Sequence, residues 1–289
     1  MKQLGARPST GGVEHLETGG GESVRMQGKV VLVTGAAQSQ GRNHAVEMAK
    51  EGADVIAVDS CRQLDIVPYR MGTDDALAET ARMIEATGRR VYPARVDVRD
   101  RRGLERAIED GVAQLGGLDI VVANASICTV QPHHEVTDEI WQTTIDVNLT
   151  GVWNTCAASI PHLDANGGGS IVITGSTGST VGLPFYTPYV AAKHALTGLC
   201  RSLALELSQS NIRVNMINPT GVDTPQGHSK VLPQLLQDRP DLAPIFANSL
   251  PAERIEVSDV THALMYLASD DARYVTGIAL PVDAGSTIR

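Results

Sequence analysis

The chain is 289 residues long with a formal net charge of -9; 42% of its residues are hydrophobic but only 3% are aromatic. An acidic chain lacks the basic field that nucleic acid or an anionic membrane surface requires of a partner, and no apolar run reaches the roughly 18 residues of a membrane helix. The length suits one large domain, with a core of Val, Ile, Leu and Ala that fits a parallel sheet covered by helices.

Residues 1–27 are rich in Gly, Ser, Thr and charge, as in Ser9-Thr10-Gly11-Gly12 and Gly19-Gly20-Gly21, and no period in them could bury a face. They are expected to form a disordered extension, and Met26 is a candidate translation start. The N-terminus shows no apolar segment of the kind a secretory signal carries, so a cytoplasmic protein is expected.

From Lys29 onward strand and helix patterns alternate. Val30–Val33 reads as a strand, about 41–51 as a helix, Asp54–Val58 as a strand, 74–87 as a helix, 91–96 as a strand, 101–115 as a helix and Leu118–Val122 as a strand. A long helix then crosses Asn148, followed by a strand at Ser170–Thr174, a helix at 187–209 and a strand at 212–217. Short apolar strands separated by helices of ten or more residues predict repeated βαβ units with right-handed crossovers. The expected fold class is α/β, a doubly wound parallel sheet with helices on both faces and ligands at the carboxyl ends of its strands. The stretch at about 223–250 breaks the alternation; long and rich in Pro and Leu after a strand end, it is expected to be a lid over the site.

The first strand runs into Thr34-Gly35-Ala36-Ala37-Gln38-Ser39-Gln40-Gly41, and a helix starts at once. Glycines in that position permit a tight turn and close approach of backbone N–H groups to a pyrophosphate, whose charge the helix N-terminus favours. Asp59 ends the second strand 18 residues beyond Gly41, where a carboxylate accepts hydrogen bonds from ribose hydroxyls and repels a 2′-phosphate. NAD is therefore expected ahead of NADP, although Arg42 and Arg62 are near enough to leave the NADP alternative open.

Tyr189 and Lys193 stand four residues apart, a spacing that puts both on one helix face, with Ser176 thirteen positions before the tyrosine. None of the other tyrosines, of six in all, has a lysine four residues on. On spacing alone the pair is as compatible with a helix surface as with catalysis. Cys61, Cys128, Cys156 and Cys200 are far apart and form no Cys-x-x-Cys pair, so neither zinc nor a disulfide framework is indicated. His133-His134-Glu135 looks like a ligand cluster, but adjacent residues do not share a face on any regular element, and no metal is expected.

Taken together, Thr34-Gly35-x-x-x-x-x-Gly41, Asp59, Asn124-Ala125-Ser126, Asn148, Ser176, Tyr189-x-x-x-Lys193 and Asn218-Pro219-x-x-x-x-Thr224 resemble the short-chain dehydrogenase/reductase family, in its order and spacing from about 28 to the C-terminus. The resemblance implies a single Rossmann-type domain over 28–289. It also implies that Asp97 and Val98 flank an adenine, that Asn124 and Ala125 line the cofactor strand end, and that Val222 and Thr224 hold the carboxamide. Asn148 would anchor a water beside Lys193, and the same resemblance implies a homotetramer packed through the helices carrying Asn148 and Tyr189. Two positions depart from the family pattern: Ser39 and Ser126 stand where glycine is usual. The segment Ser60–Gly72 is similar to an insertion in the mycofactocin-associated, carveol dehydrogenase-like branch, as is the Ala279–Gly285 ending; that implies tightly held NAD and an external redox carrier.

The chemistry so implied is a secondary alcohol exchanging hydride with NAD, with Tyr189 as acid and base, Lys193 lowering its pKa, and Ser176 bonding the substrate oxygen ahead of its competitors Thr177 and Ser179. At an effective dielectric of 20, an ammonium about 4 Å away supplies roughly the 3 to 4 kcal/mol required. Leu183, Pro184, Phe185, Tyr186, Leu235, Ile245 and Phe246 are candidates for an apolar substrate pocket. A catalytically idle NAD-binding redox sensor is the alternative from another class.

Overall fold

Seven short runs dominated by branched and small apolar residues form the strands Val30–Thr34 (β1), Asp54–Asp59 (β2), Val91–Arg95 (β3), Ile120–Ala123 (β4), Gly169–Thr174 (β5), Ile212–Pro219 (β6) and Ala279–Val282 (β7) in the computed structural model, which describes residues 25–227 and 230–288. They make one parallel sheet in the order β3-β2-β1-β4-β5-β6-β7. Every residue of β1, β2 and β4 is buried, because helices cover both faces and alternation with polar residues has no use there.

The helices are Ser39–Lys50 (α1), Asp74–Glu85 (α2), Arg101–Leu115 (α3), Asp138–Ile145 (α4), Gly151–Ala165 (α5), Thr187–Glu206 (α6), Val231–Asp238 (α7) and Val257–Ala268 (α8). Val30 and Leu32 point into a core with Leu104 and Ile108 of α3, Cys156 of α5 and Leu196 of α6. Val31 and Val33 point the other way, into a core with Met48 of α1, Ile84 of α2 and Leu264 of α8. The single α/β domain expected from the alternating pattern is thus formed. The order reverses between β1 and β4, and a crevice opens there at the carboxyl ends of the strands.

Two local readings are corrected and a third gains detail. The long helix across Asn148 is α4 and α5 joined by a π-helical turn, Asp146–Thr150, which a 3.6-residue period does not reveal. The segment 223–250 contains α7 and a 3-10 turn at Pro240–Phe246. Of residues 1–27, only 25–27 are described, and they join the fold: Met26 is buried and its N–H donates to the Glu51 carbonyl at 2.9 Å. The rest of the expected extension lies outside the described residues. Among the described residues no helix is long and apolar enough to cross a membrane.

Candidate active site

A cavity of about 450 Å³ lies over the carboxyl ends of β1, β4, β5 and β6. The Gly-rich turn forms one wall. Gly35 has φ +72°, and a Cβ there would press to 3.1 Å from the Ala125 Cα. A Cβ on Gly41 would collide with the Gly35 carbonyl, so only glycine lets α1 start this close to β1. Ser39 also adopts a left-handed φ, +52°, at the position where the family pattern has glycine. Gln38 and Gln40 line the cavity too, and Gln40 Oε1 is buried without a hydrogen-bond partner among the described residues.

Asp59 faces the turn from the end of β2. Its carboxylate accepts from Ala37 N–H at 3.0 Å and Cys61 N–H at 2.9 Å, while burial pushes its pKa above the ordinary value. Arg42, a sequence candidate for offsetting that charge, is committed elsewhere: its guanidinium donates to the carbonyls of Ala37 at 2.6 Å and Ala76 at 2.7 Å. Asp97 and Val98 line the next part of the wall. Burial pushes Asp97 up, but its bonds to Arg99, the shortest 2.6 Å, outweigh this and leave the carboxyl below its usual value.

At the floor, Thr34 Oγ1 accepts from the backbone N–H groups of Asn124 at 3.1 Å and Ala125 at 3.2 Å. The Asn124 amide donates to the Thr34 carbonyl at 3.0 Å and accepts from Thr174 Oγ1 at 3.3 Å, so one side chain ties β1 to β5 across β4.

Residues 60–72 form an ordered loop. The Gln63 amide donates to the carbonyls of Val67 and Tyr69 at 3.2 Å each and accepts from Met71 N–H at 3.1 Å. Gln38 ties the loop to the Gly-rich turn through the Arg70 carbonyl at 3.1 Å. Leu64, Pro68, Tyr69 and Met71 line the cavity.

Lys193 is 1% exposed and Tyr189 8%. The lysine Nζ donates to the Thr174 carbonyl at 2.7 Å and lies 5.5 Å from the Tyr189 ring centroid. Burial lowers the Lys193 pKa to about 8 and pushes the phenol above its ordinary value; Cys128 adds to the latter, and the Ser176 and Gln226 side chains pull it back. Burial thus works against the lowering of the phenol that the spacing to Lys193 leads one to expect, because desolvation penalises both charged forms.

Ser176 Oγ accepts from Gly178 N–H at 3.1 Å, and Ser179 Oγ caps Ser176 N–H at 3.1 Å. Ser179 is thus spent on the turn, while Ser176 and Thr177 line the cavity. Asn148 is fully buried behind the lining. Its side chain pairs with the Ile127 backbone in both directions at 2.8 Å and accepts from Ser126 Oγ at 3.1 Å. The Ser126 departure from glycine thereby acquires a role, holding the π turn to the loop after β4.

Val222 and Thr224 line the far wall, where Val222 bridges to Ile255 and Thr224 Oγ1 accepts from Gly227 N–H at 3.2 Å. Leu183, Tyr186, Ile245 and Phe246 line the substrate end as expected, whereas Pro184, Phe185 and Leu235 do not; α7 turns Leu232 and Leu236 inward, one helical turn apart. Gln226, Tyr69 and Cys128 also line the cavity; the first two lie in the segments expected as lid and insertion, but nothing in the sequence marks the individual residues. All four cysteines are buried free thiols. His133, His134 and Glu135 lie on an exposed 3-10 turn.

A family model described as Enoyl-(Acyl carrier protein) reductase matches residues 35–287. The chain is 44% identical over 275 residues to the (-)-trans-carveol dehydrogenase of Rhodococcus erythropolis, covering 92% of this chain and 99% of that one. Its fold superposes on the crystal structure of carveol dehydrogenase from Mycobacterium avium in complex with NAD with a TM-score of 0.86, at 44% identity over 92% of this chain and 99% of that one. On a short chain dehydrogenase from Mycobacterium paratuberculosis bound to NAD the TM-score is 0.90, at 42% identity over 92% and 100% of the two chains.

Proposed function

The chain belongs to the short-chain dehydrogenase/reductase family, an oxidoreductase family, and on that premise we propose that it interconverts a secondary alcohol and a ketone with NAD. The observation that carries this reading is the convergence of Ser176, Tyr189 and Lys193 on the same cavity as the Gly-rich turn and Asp59.

The residues fit the dinucleotide. Gly35, Gln38, Ser39, Gln40 and Gly41 would hold its pyrophosphate at the start of α1. Asp59 would take ribose hydroxyls, Asp97 and Val98 the adenine, Asn124 and Ala125 the strand end, and Val222 and Thr224 the carboxamide. NAD, when bound, supplies the carbon that takes up the hydride and a positive ring whose field favours the phenolate. Tyr189 removes the proton from the substrate hydroxyl, and returns it in the reverse direction. Ser176 donates to the same substrate oxygen. Lys193, held by Thr174, biases Tyr189, and Asn148 at the π turn anchors the water that carries the proton outward.

The substrate end is apolar, with Val130, Val181, Leu183, Leu232, Ile245 and Phe246 on its walls. It suits an apolar alcohol of the carveol type, and the ordered loop at 60–72 suits tightly held NAD that passes its electrons to an external carrier. We further place the protein in the cytoplasm as a homotetramer packed through α4, α5 and α6, where Trp141 and Trp153 are 41% and 42% exposed.

The test is turnover of carveol, with free NAD and with an artificial dye acceptor, in the native chain and in Tyr189→Phe. A loss of about a thousandfold or more is expected. Unchanged turnover in the variant would remove Tyr189 as the base. Assaying the supernatant of denatured protein for NAD decides whether the dinucleotide is retained.

A further inference from the structure

The turn that leads into α6 holds a strained residue and delivers its neighbour to the cavity. Leu183, Pro184, Phe185 and Tyr186 form a turn closed by Tyr186 N–H, which donates to the Leu183 carbonyl at 3.3 Å. Its third residue, Phe185, has φ +72°, a left-handed value that turns with proline in second place ordinarily give to glycine. A bulky side chain adopts it only under constraint. The constraint is on the neighbouring loop: the Phe185 carbonyl accepts from Gln131 N–H at 3.1 Å, and the buried Gln131 amide donates to Thr129 Oγ1 at 3.2 Å. Phe185 stays out of the cavity lining, and Tyr186 enters it.

Tyr186 then starts α6 three positions before Tyr189, its carbonyl accepting from Val190 N–H at 2.8 Å. Its ring packs by an edge against the Tyr189 ring, centroids 6.2 Å apart, and lies 6.1 Å from the Phe246 ring of the lid segment. These contacts position the ring and leave its oxygen uncommitted: among the described residues the Tyr186 hydroxyl has no hydrogen-bond partner. Tyr69, another phenol on the cavity wall, is by contrast engaged twice, accepting from Cys128 N–H at 3.0 Å and donating to Gln226 Oε1 at 3.4 Å. The substrate end around Tyr186 is walled by Val181, Leu183, Ile245 and Phe246. For a purely apolar ligand a hydroxyl in such a wall is worse than phenylalanine, because it is desolvated without a partner. Burial pushes the phenol above its ordinary value, so near neutral pH it is a hydrogen-bond donor and not a second base.

We propose that Tyr186 is a specificity-determining residue whose hydroxyl donates to a second oxygen of the substrate. The substrate class is then a compact, mostly apolar secondary alcohol or ketone that carries a further ether, carbonyl or hydroxyl oxygen. The inference rests on the reading of this cavity as a site of alcohol and ketone interconversion, and it narrows that reading: an alcohol with a single oxygen fills the apolar walls but leaves Tyr186 unmatched.

Matched probes isolate the contact. Methoxycyclohexanols and ethylcyclohexanols substituted at position 2, 3 or 4 share a shape and differ by an oxygen in place of a methylene, and neither substituent competes as a hydride donor. In Tyr186→Phe, which keeps the ring and both packing contacts, the ratio of kcat/KM for the methoxy over the ethyl probe should fall about tenfold for the best-matched pair, the size of one hydrogen bond. A loss of packing would lower both members alike and leave the ratio where it was. In protein labelled with ¹³Cζ-tyrosine, the Tyr186 resonance, assigned by its loss in Tyr186→Phe, should move further on adding the methoxy probe of that pair than on adding its ethyl partner. A ratio unchanged by the variant for every pair, or a resonance that answers equally to both members, would overturn the proposal. Absence of turnover of every probe and of carveol would instead overturn the alcohol reading, and the resonance would still report whether Tyr186 binds the oxygen.

Discussion

The ammonium of Lys193 stands 5.5 Å from the centroid of the Tyr189 ring, and both side chains are buried. Two groups that catalysis needs in charged form are thus kept where charge is disfavoured, which makes the site costly to the fold as well as useful to it.

Replacing the lysine separates the two effects. The folded-state pKa of Lys193 is depressed from 10.5 to about 8, so between those values the unfolded chain binds more protons and stability rises with pH. Lys193→Met should lose turnover a hundredfold or more, gain roughly 1 to 3 kcal/mol near pH 7, and lose the rise across that window. Urea unfolding at pH 7, 8 and 9.5 measures this. A variant less stable than the native chain at pH 7 would contradict it.

His44 gives an acid-side counterpart. It is fully buried between α1 and α8, bonded to Thr261 Oγ1 at 2.7 Å, and burial lowers its pKa from 6.5 to about 3. As pH falls through that window the unfolded chain takes up the proton first, so stability declines by about 1.4 kcal/mol per unit from this group. His44→Gln should flatten that decline between pH 6 and 4. A guanidinium midpoint that falls as steeply in the variant would count against the assignment.

Asp59 should govern the choice of dinucleotide. With the carboxylate gone, repulsion of a 2′-phosphate disappears, and Asp59→Ser is expected to shift the ratio of NADP to NAD affinity upward by about tenfold or more. The Ala37 and Cys61 N–H groups lose their acceptor, so the variant should also be about 1 to 3 kcal/mol less stable. Fluorescence titration with each dinucleotide supplies the ratio, and an unchanged ratio would argue that the carboxylate does not face the ribose.

Ser39 carries a left-handed backbone at +52°, which costs a residue with a Cβ about 1 kcal/mol. Ser39→Gly should raise stability by up to about 0.5 kcal/mol, some 1 to 2 °C in Tm, after allowing for the entropy of glycine in the unfolded chain. Calorimetry decides it, and a lower Tm would show that the serine side chain contributes more than its backbone costs.

What the sequence makes legible is what lies close along the chain. The strands of β1, β2 and β5, the turn at Gly35–Gly41, Asp59 at its strand end and the Tyr189–Lys193 spacing all depend on local period or short separation, and the folded chain gathers them on one cavity. Gln226 and Tyr69 are 157 positions apart, and although each lies in a segment the sequence sets apart, nothing local brings the two together. The π turn at Asn148 escapes because one widened turn leaves the apolar pattern nearly unchanged. The direction of the Tyr189 shift escapes for another reason: Coulomb attraction follows from spacing, but desolvation depends on everything that closes over the ring.

The side-chain stitching of Thr34 to Asn124 and Ala125 has a dynamic consequence. These N–H groups sit between buried strands and open only when the sheet itself comes apart, so their hydrogen exchange should report global unfolding. The segment bearing α7 buries none of that helix's residues, so its exchange is expected to proceed by local opening. On that expectation the cavity has a floor that keeps its coordinates over the lifetime of the fold and, at α7, a wall that parts and re-forms against it many times.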